Sequence, residues 1–337
     1  MCDVFISIIV PIYNVERFID ACVESLFRDV QPDIEYIFVD DCSPDQSIQH
    51  IRDQAQKYNI PNNQIHFLKN EHNCGLSVTR NNGEAAASGK YIWFVDSDDW
   101  IKDGILPRLI DFLKKNQPEI LALPVIHTDA GTCSSEYTPY LKRFSGEFEG
   151  KKLLHHILPC AQFYIFDHTF WRDNHFTFYP GIYHEDVELT PKVRYLAKRV
   201  MAFPETVYFY RITEGSIVTT PKIKRSEDLL IVAQRLTDFM NTKVSQEDRI
   251  LFADIIAVVL TNCLNNASYL LKDERKRFAN DLNKEKHLFA ICSICSNIKH
   301  RVLFVFRYVS PRILLFFYCV WSRRKQKSIQ EMKRRNR

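Results

Sequence analysis

Glycine is scarce in this chain: 337 residues contain nine, against an ordinary share of about 7%. No two glycines stand at G-x-G spacing, none precedes a Lys-Ser/Thr pair in phosphate-loop register, and no G-x-S-x-G elbow occurs. NAD-linked Rossmann enzymes, P-loop NTPases and elbow-type serine hydrolases are thereby excluded. A phosphate bound here must be held by something other than a glycine cradle. Long apolar runs are lacking in the final region, Val302 to Trp321, as well. The longest uncharged apolar run near the C-terminus, Ile313–Trp321, has nine residues, whereas a bilayer span needs about 20. No basic leader is expected either, since Met1-Cys2-Asp3 runs directly into a strand-like stretch. The ten cysteines are therefore expected as free thiols in a reducing compartment. Cys292-x-x-Cys295 has no second pair beside it and reads as packed thiols, with a metal site as the alternative.

What is present is ordinary in amount and uneven in distribution. A hydrophobic fraction of 46% with 26% charged residues suits a globular chain of one large or two joined domains. From Lys299 to Arg337 there are 12 Lys and Arg against one acid, Glu331. That segment carries +11 of a total of +4, leaving −7 on residues 1–298. A mildly acidic body thus bears a strongly basic tail.

The first 125 residues alternate strand and helix signals. Strands are predicted at Phe5–Pro11, Ile34–Val39, Ile65–Leu68 and Tyr91–Val95, as apolar runs of buried parallel type. Helices are predicted after Asn14 as cap, over Gln46–Tyr58, and over Ser77–Ala87 with Ser77 at its start. Repeated β-α-β implies an α/β fold with a parallel sheet covered by helices. From about Pro124 the pattern turns irregular, and helical spacing returns at Leu229–Met240 and Ile250–Leu271.

In such sheets ligands bind beyond the carboxyl ends of the strands, and two acidic clusters fall there. Asp96, Asp98 and Asp99 crowd the end of one strand, where each must be solvated, paired or bound to a cation. Hard divalent ions take oxygen ligands and bridge carboxylates to a diphosphate. The alternative is a solvated turn before a helix near Gly104. Asp40 and Asp41 end another strand; a carboxylate there can accept the N–H of a pyrimidine base, on which Tyr13 can stack, though Asp-Cys-Ser-Pro-Asp is also a good turn. Arg80 stands near a helix start, where the dipole disfavours a cation, so it answers either an anion or a surface carboxylate. His184-Glu185-Asp186 follows a Pro-Gly turn and could be a general base, a metal site or an exposed loop.

Five ordered blocks, SIIVPIYN (7–14), VDDCSPD (39–45), NCGLSVTRNNG (73–83), GKYIWFVDSDDW (89–100) and YHED (183–186), together resemble family 2 of the nucleotide-sugar glycosyltransferases. The resemblance runs from about Ser7 to Ile217 and extends through VYFYRITEGSI (207–217), as in bacterial members that build surface polysaccharides. It implies a GT-A fold with a C-terminal helical extension. The implied organisation is a glycosyltransferase domain over 1–220, with a nucleotide-sugar half (1–125) and an acceptor half (126–220). A helical region (221–298) and a basic amphipathic tail (299–337) follow. Pro11, Tyr13 and Asp41 would form the base and ribose pocket, with Arg80 near the diphosphate or walling the base pocket. Asp96 and Asp98 would be the D-x-D pair, Asp98 the more direct ligand of Mg²⁺ or Mn²⁺. Asp186, beside Glu185, would be the catalytic base. The implied reaction is inverting transfer from a nucleoside-diphosphate sugar, a UDP-sugar in particular, to a hydroxyl of a glycan or lipid-linked glycan. Cys42 departs from the family, where Gly or Asn is commoner.

Three other readings compete. A catalytically inactive sugar-nucleotide-binding relative would keep the fold without the chemistry. A sugar-nucleotide pyrophosphorylase would open with a glycine-rich basic loop, which PIYNVERF is not. A nucleic-acid-binding tail would form a polar basic stripe, whereas the bases here alternate with bulky aliphatics and aromatics. Val302–Val305 and Ile313–Trp321 beside Arg307, Arg312, Arg323, Arg324, Lys325 and Lys327 instead suit a membrane interface. That places the protein in the cytoplasm, peripheral at the inner face of the membrane. A helical hairpin packed on the body is the alternative.

Overall fold

The computed structural model describes residues 4–129, 132–155, 159–212 and 222–320. The chain forms two compact units, one of residues 1–181 with 189–216, the other of residues 182–188 with 217–337.

The first unit holds eleven strands among its described residues. They are β1 (Ile6–Ile12), β2 (Ile34–Asp40), β3 (Ile65–Lys69), β4 (Tyr91–Phe94), β5 (Trp100–Ile101), β6 (Ile120–Ala122), β7 (Val125–Asp129), β8 (Thr132–Glu136), β9 (Tyr164–Asp167), β10 (Val200–Ala202) and β11 (Tyr208–Ile212). The main sheet has the order β10-β6-β9-β4-β1-β2-β3, and a second sheet the order β5-β11-β7-β8. β1 pairs in parallel with β2 and β4, and β2 with β3. β9 runs antiparallel to β4 and β6. Every residue of β1 and β2 is buried, which is why both read as unbroken apolar runs rather than alternating ones. The four parallel strands predicted from sequence are the centre and one edge of this sheet.

Helices α1 (Glu16–Phe27), α2 (Ser47–Lys57), α3 (Leu76–Ala86), α4 (Ile105–Asn116) and α5 (His168–Asp173) belong to the same unit. α1 buries Ile19, Cys22, Val23, Leu26 and Phe27, one stripe at helical spacing. α3 lies hard against β1: a Cβ added at Gly83 would stand 2.3 Å from Ile9 Cγ2. One of the few glycines is thus spent on close packing.

Two predicted caps are corrected. Asn14 does not cap α1; its φ of 55° puts it in the left-handed region, which Asn tolerates. The start of α1 is capped from the α2 side instead. Glu16 N donates to Asp45 Oδ2 at 2.9 Å and Asn14 N to Ser43 Oγ at 2.8 Å, while Gln46 N donates back to Glu16 Oε2 at 3.0 Å. Ser77 lies inside α3, whose N-cap is Gly75 at φ 82°. The stretch after Pro124 that reads as irregular contains β7, β8 and β11, strands of five residues each. They are too short and too polar to show a period.

The second unit is helical, built on α7 (Ile223–Lys243), α8 (Arg249–Ser268) and α9 (Lys272–Lys284), with α6 (Glu185–Leu196) beginning in it. α7 packs on α8 through buried Leu229, Val232, Leu236 and Met240. α8 is the one described helix long and apolar enough to cross a membrane by length and composition. Its buried face, from Phe252 to Ala267, makes it the central helix of this unit. Cys292 and Cys295 are fully buried, and Cys295 Sγ donates to Ala253 O at 3.3 Å.

Candidate active site

The carboxyl edge of the main sheet gathers the first cluster. Asp41 N donates to Ile12 O, Asn70 N to Asp40 O and Val95 N to Ile9 O, each at 2.9 Å. Parallel pairing continues just past the strand ends, so Pro11, Tyr13, Asp41 and the Asp96–Asp99 turn come to one edge. Pro11 is buried in β1. Tyr13 is 48% exposed, which leaves its ring open for stacking.

The two acids at the end of β2 have different work. Asp40 accepts Ser43 N at 2.7 Å and closes the turn toward α2. Asp41, 3% exposed, clamps the loop before α3. Its Oδ1 accepts Asn70 Nδ2 and Cys74 N, both at 2.7 Å, and its Oδ2 accepts Gly75 N at 2.9 Å. A carboxylate has about four lone-pair sites, so one acceptor position on Oδ2 remains for a ligand N–H. Asn70 is itself fixed by Asn82 Nδ2, which donates to its Oδ1 at 2.8 Å. Cys42, beside Asp41, has a φ of 55°. That left-handed backbone is a physical reason for Gly or Asn at such a position.

Arg80 is not a surface residue. It is 2% exposed, its Nη2 stands 2.7 Å from Asp96 Oδ1, and its guanidinium lies 5.2 Å from the Phe178 ring centre. The cation near the start of α3 therefore answers the first acid of the D-x-D pair. Asp99 is fully buried, not part of a solvated turn. Its Oδ2 accepts Tyr208 Oη at 2.8 Å and its Oδ1 accepts Arg211 N at 2.7 Å. Tyr208 Oη in turn accepts Asp96 N at 3.1 Å. Burial and the charges of Asp98 and Asp96 push the Asp99 carboxyl well above its ordinary range.

Asp98 is the acid left over. It is half-buried, and burial with the charge of Asp96 beside it pushes its carboxyl up to about 6. Such a carboxylate is improved by a cation. The described residues hold no group of three or more His, Cys, Asp or Glu that could hold a metal. Asp96 and Asp98 place two carboxylates at this turn, both hard oxygen donors.

Sequence reasoning assigned no role to Tyr208 or Arg211, and left Asp99 as one acid of a cluster to be solvated, paired or bound to a cation. Arg211 Nε donates to Asp98 O at 2.7 Å, and its guanidinium lies 4.6 Å from the Trp100 ring centre. A cation is thus fixed beside the D-x-D turn by β11. Tyr208 and Arg211 fall within the VYFYR stretch, so the signal was present in the motif but not in any single residue.

Glu185 and Asp186 open α6 within the helical unit. Of the three readings open to this triplet, the exposed loop is replaced by a helix N-terminus, where acids are favoured. Glu185 is buried, and Val187 N donates to Asp186 Oδ1 at 2.7 Å. His184, just before the helix, has a φ of 66° and a buried Nε2 with no hydrogen-bond partner among the described residues. The preceding turn is tied down by Tyr183 N, which donates to Asp228 Oδ2 at 2.8 Å.

Known proteins resemble this chain in sequence and in fold. Residues 7–169 match the model of the family described as glycosyl transferase family 2. The chain is 42% identical over 116 residues to the uncharacterized glycosyltransferase EpsJ of Bacillus subtilis, covering 34% of this chain and 32% of that protein. It is 30% identical over 247 residues to the minor teichoic acid biosynthesis protein GgaB of Bacillus subtilis, covering 69% of this chain and 26% of GgaB. The chain thus spans about a third or less of these relatives. The crystal structure of S. aureus TarS 1–349 in complex with UDP-GlcNAc superimposes with a TM-score of 0.71 at 19% identity, covering 95% of this chain and 92% of that one. The fold is therefore the GT-A fold of TarS with a helical C-terminal region.

Proposed function

Starting from a chain whose residues 7–169 belong to glycosyl transferase family 2, we propose that it transfers a sugar from a nucleoside-diphosphate donor, a UDP-sugar in particular, to a hydroxyl of a glycan or lipid-linked glycan during surface-polysaccharide synthesis. The observation that carries the reading is the convergence at one sheet edge of an exposed Tyr13, a nearly saturated Asp41 with one acceptor position left, and the Arg80–Asp96–Asp98 group. The UDP-GlcNAc bound by TarS and the teichoic acid role of GgaB support it. Residues 1–125 serve the donor and 126–220 the acceptor. Residues 221–298 form the helical region and 299–337 the tail.

Each residue has a task that its chemistry permits. Tyr13 stacks on the base, Pro11 backs the pocket, and Asp41 Oδ2 accepts the base N–H. Arg80 holds Asp96 in place and, through it, the D-x-D turn. Asp98, with Asp96 beside it, would hold Mg²⁺ or Mn²⁺, which when bound offsets charge on the leaving diphosphate. A sugar hydroxyl loses its proton far above neutral pH, so a carboxylate must take that proton as the C–O bond forms; Asp186 takes this role, with Glu185 beside it. A single displacement with one base inverts the anomeric carbon. A place at the inner face of the cell membrane, held by residues 299–337, goes with an acceptor carried on lipid.

The test is a panel of nucleotide sugars offered to the purified protein with Mn²⁺, Mg²⁺ or chelator, reading nucleoside diphosphate release. Release from at least one donor, lost with chelator, is expected. Failure to bind UDP or to release a diphosphate from any donor would overturn the assignment.

A further inference from the structure

The segment that ends the described chain is held by a few side chains and exposes the rest. Leu303 is 5% exposed, and Leu314 and Leu315 are 1% exposed. Cys319 Sγ donates to Ser268 O at 3.4 Å. This much matches a helical segment packed on its own unit. The remainder does not: of fifteen exposed large hydrophobic side chains among the described residues, eight lie between 294 and 317. Tyr308 is 72% exposed, Ile298 69%, Phe316 64% and Phe317 63%. Soluble proteins seldom leave such a concentration uncovered.

The charge around these side chains has one sign. Lys299, Arg301, Arg307 and Arg312 are all exposed, and no acid occurs between Glu285 and Glu331. We infer that the segment Ile298–Phe317 docks on an anionic phospholipid bilayer, with Tyr308, Phe316 and Phe317 entering at headgroup depth and the four bases resting on lipid phosphates. Amphipathic segments bind such surfaces by buried apolar area plus attraction to anionic lipid. A second copy of the chain would bring the same positive charge to the contact and be repelled. A nucleic acid would use the bases, but a duplex backbone would leave the aliphatic side chains in water. Residues 321–337, including Arg323, Arg324, Lys325 and Lys327, lie outside the described residues; by sequence they add eight bases. The inference rests on the proposed membrane placement only in its choice of partner. Vesicle binding is read without donor or acceptor, so its failure leaves the transfer reaction standing.

The experiment is co-sedimentation of the full chain with vesicles of phosphatidylglycerol and phosphatidylcholine, or of phosphatidylcholine alone, at low and high salt. Binding to the anionic vesicles, roughly tenfold weaker on neutral ones or in high salt, is expected. The triple variant Tyr308→Ser, Phe316→Ser, Phe317→Ser should lose about tenfold in partitioning with its melting temperature kept. The double variant Arg307→Gln, Arg312→Gln, at two exposed positions, should lose a similar factor at low salt only. Absence of sedimentation with anionic vesicles at low salt overturns the inference. So does light scattering that shows a dimer abolished by the triple variant, or salt-sensitive RNA binding through the same bases, when either occurs without vesicle binding.

Discussion

Arg80 and Asp96 form an ion pair, Nη2 to Oδ1 at 2.7 Å, between a buried arginine, 2% exposed, and a half-buried carboxylate. Removing one charge of such a pair leaves the other poorly compensated, at a cost of about 3 kcal/mol. Asp96→Asn should therefore lower the free energy of unfolding by about that amount in urea. Arg80→Met in the same background should cost less than the two single changes summed, because the stranded charge is gone. Additive losses would mean that the pair does not act as a unit.

Asp98 should behave in the opposite way. Its carboxyl titrates near 6, raised by burial and by Asp96. A carboxyl raised in the fold binds its proton more tightly there than in the unfolded chain. The ionised form therefore destabilises the fold above pH 6, and the effect vanishes below the unfolded value. Asp98→Asn should stabilise the metal-free protein by about 1–2 kcal/mol at neutral pH while abolishing metal-dependent transfer. A destabilised variant with activity retained would reject both statements.

Much of this site was legible in the sequence because the strands that carry it are buried on both faces. Ile6–Ile12 and Ile34–Asp40 announce themselves as apolar runs, and the residues after such runs must lie at the carboxyl edge. The partners of those residues were not legible. Asp41 is clamped by the N–H groups of Cys74 and Gly75, more than thirty positions away, and Asp99 by Tyr208 and Arg211, more than a hundred away. No local period encodes such contacts. Asn14 and Ser77 misled for a related reason: a residue that can cap does so only when the backbone leaves it at the N-cap, and here Val15 holds that place for α1, after the left-handed Asn14, and Gly75 holds it for α3.

Asp186→Asn should separate binding from turnover. A base acts on a proton that moves only in the transition state, so its loss lowers kcat with little change in donor affinity. A fall of about 10²-fold or more in kcat, with UDP affinity by calorimetry unchanged, is the expected result. Weakened UDP binding with turnover preserved would move Asp186 to the donor pocket and leave Glu185 or His184 as the base.

His184 supplies a pH test that needs no substrate. Burial, and then the charge of Arg225, lowers its imidazole to about 4 from an ordinary 6.5. The ring is therefore neutral in the folded protein while the unfolded chain takes up a proton below pH 6.5. Between those values the unfolded state binds more protons, so stability contributed by the neutral ring is full above 6.5 and is lost as pH falls toward 4. Asn tolerates the left-handed backbone at this position and does not titrate. The difference in unfolding free energy between the native chain and His184→Asn should thus be flat above pH 6.5 and shift against the native chain from there down to about pH 4. The same difference at pH 7 and pH 4.5 would show that His184 is not a buried neutral group.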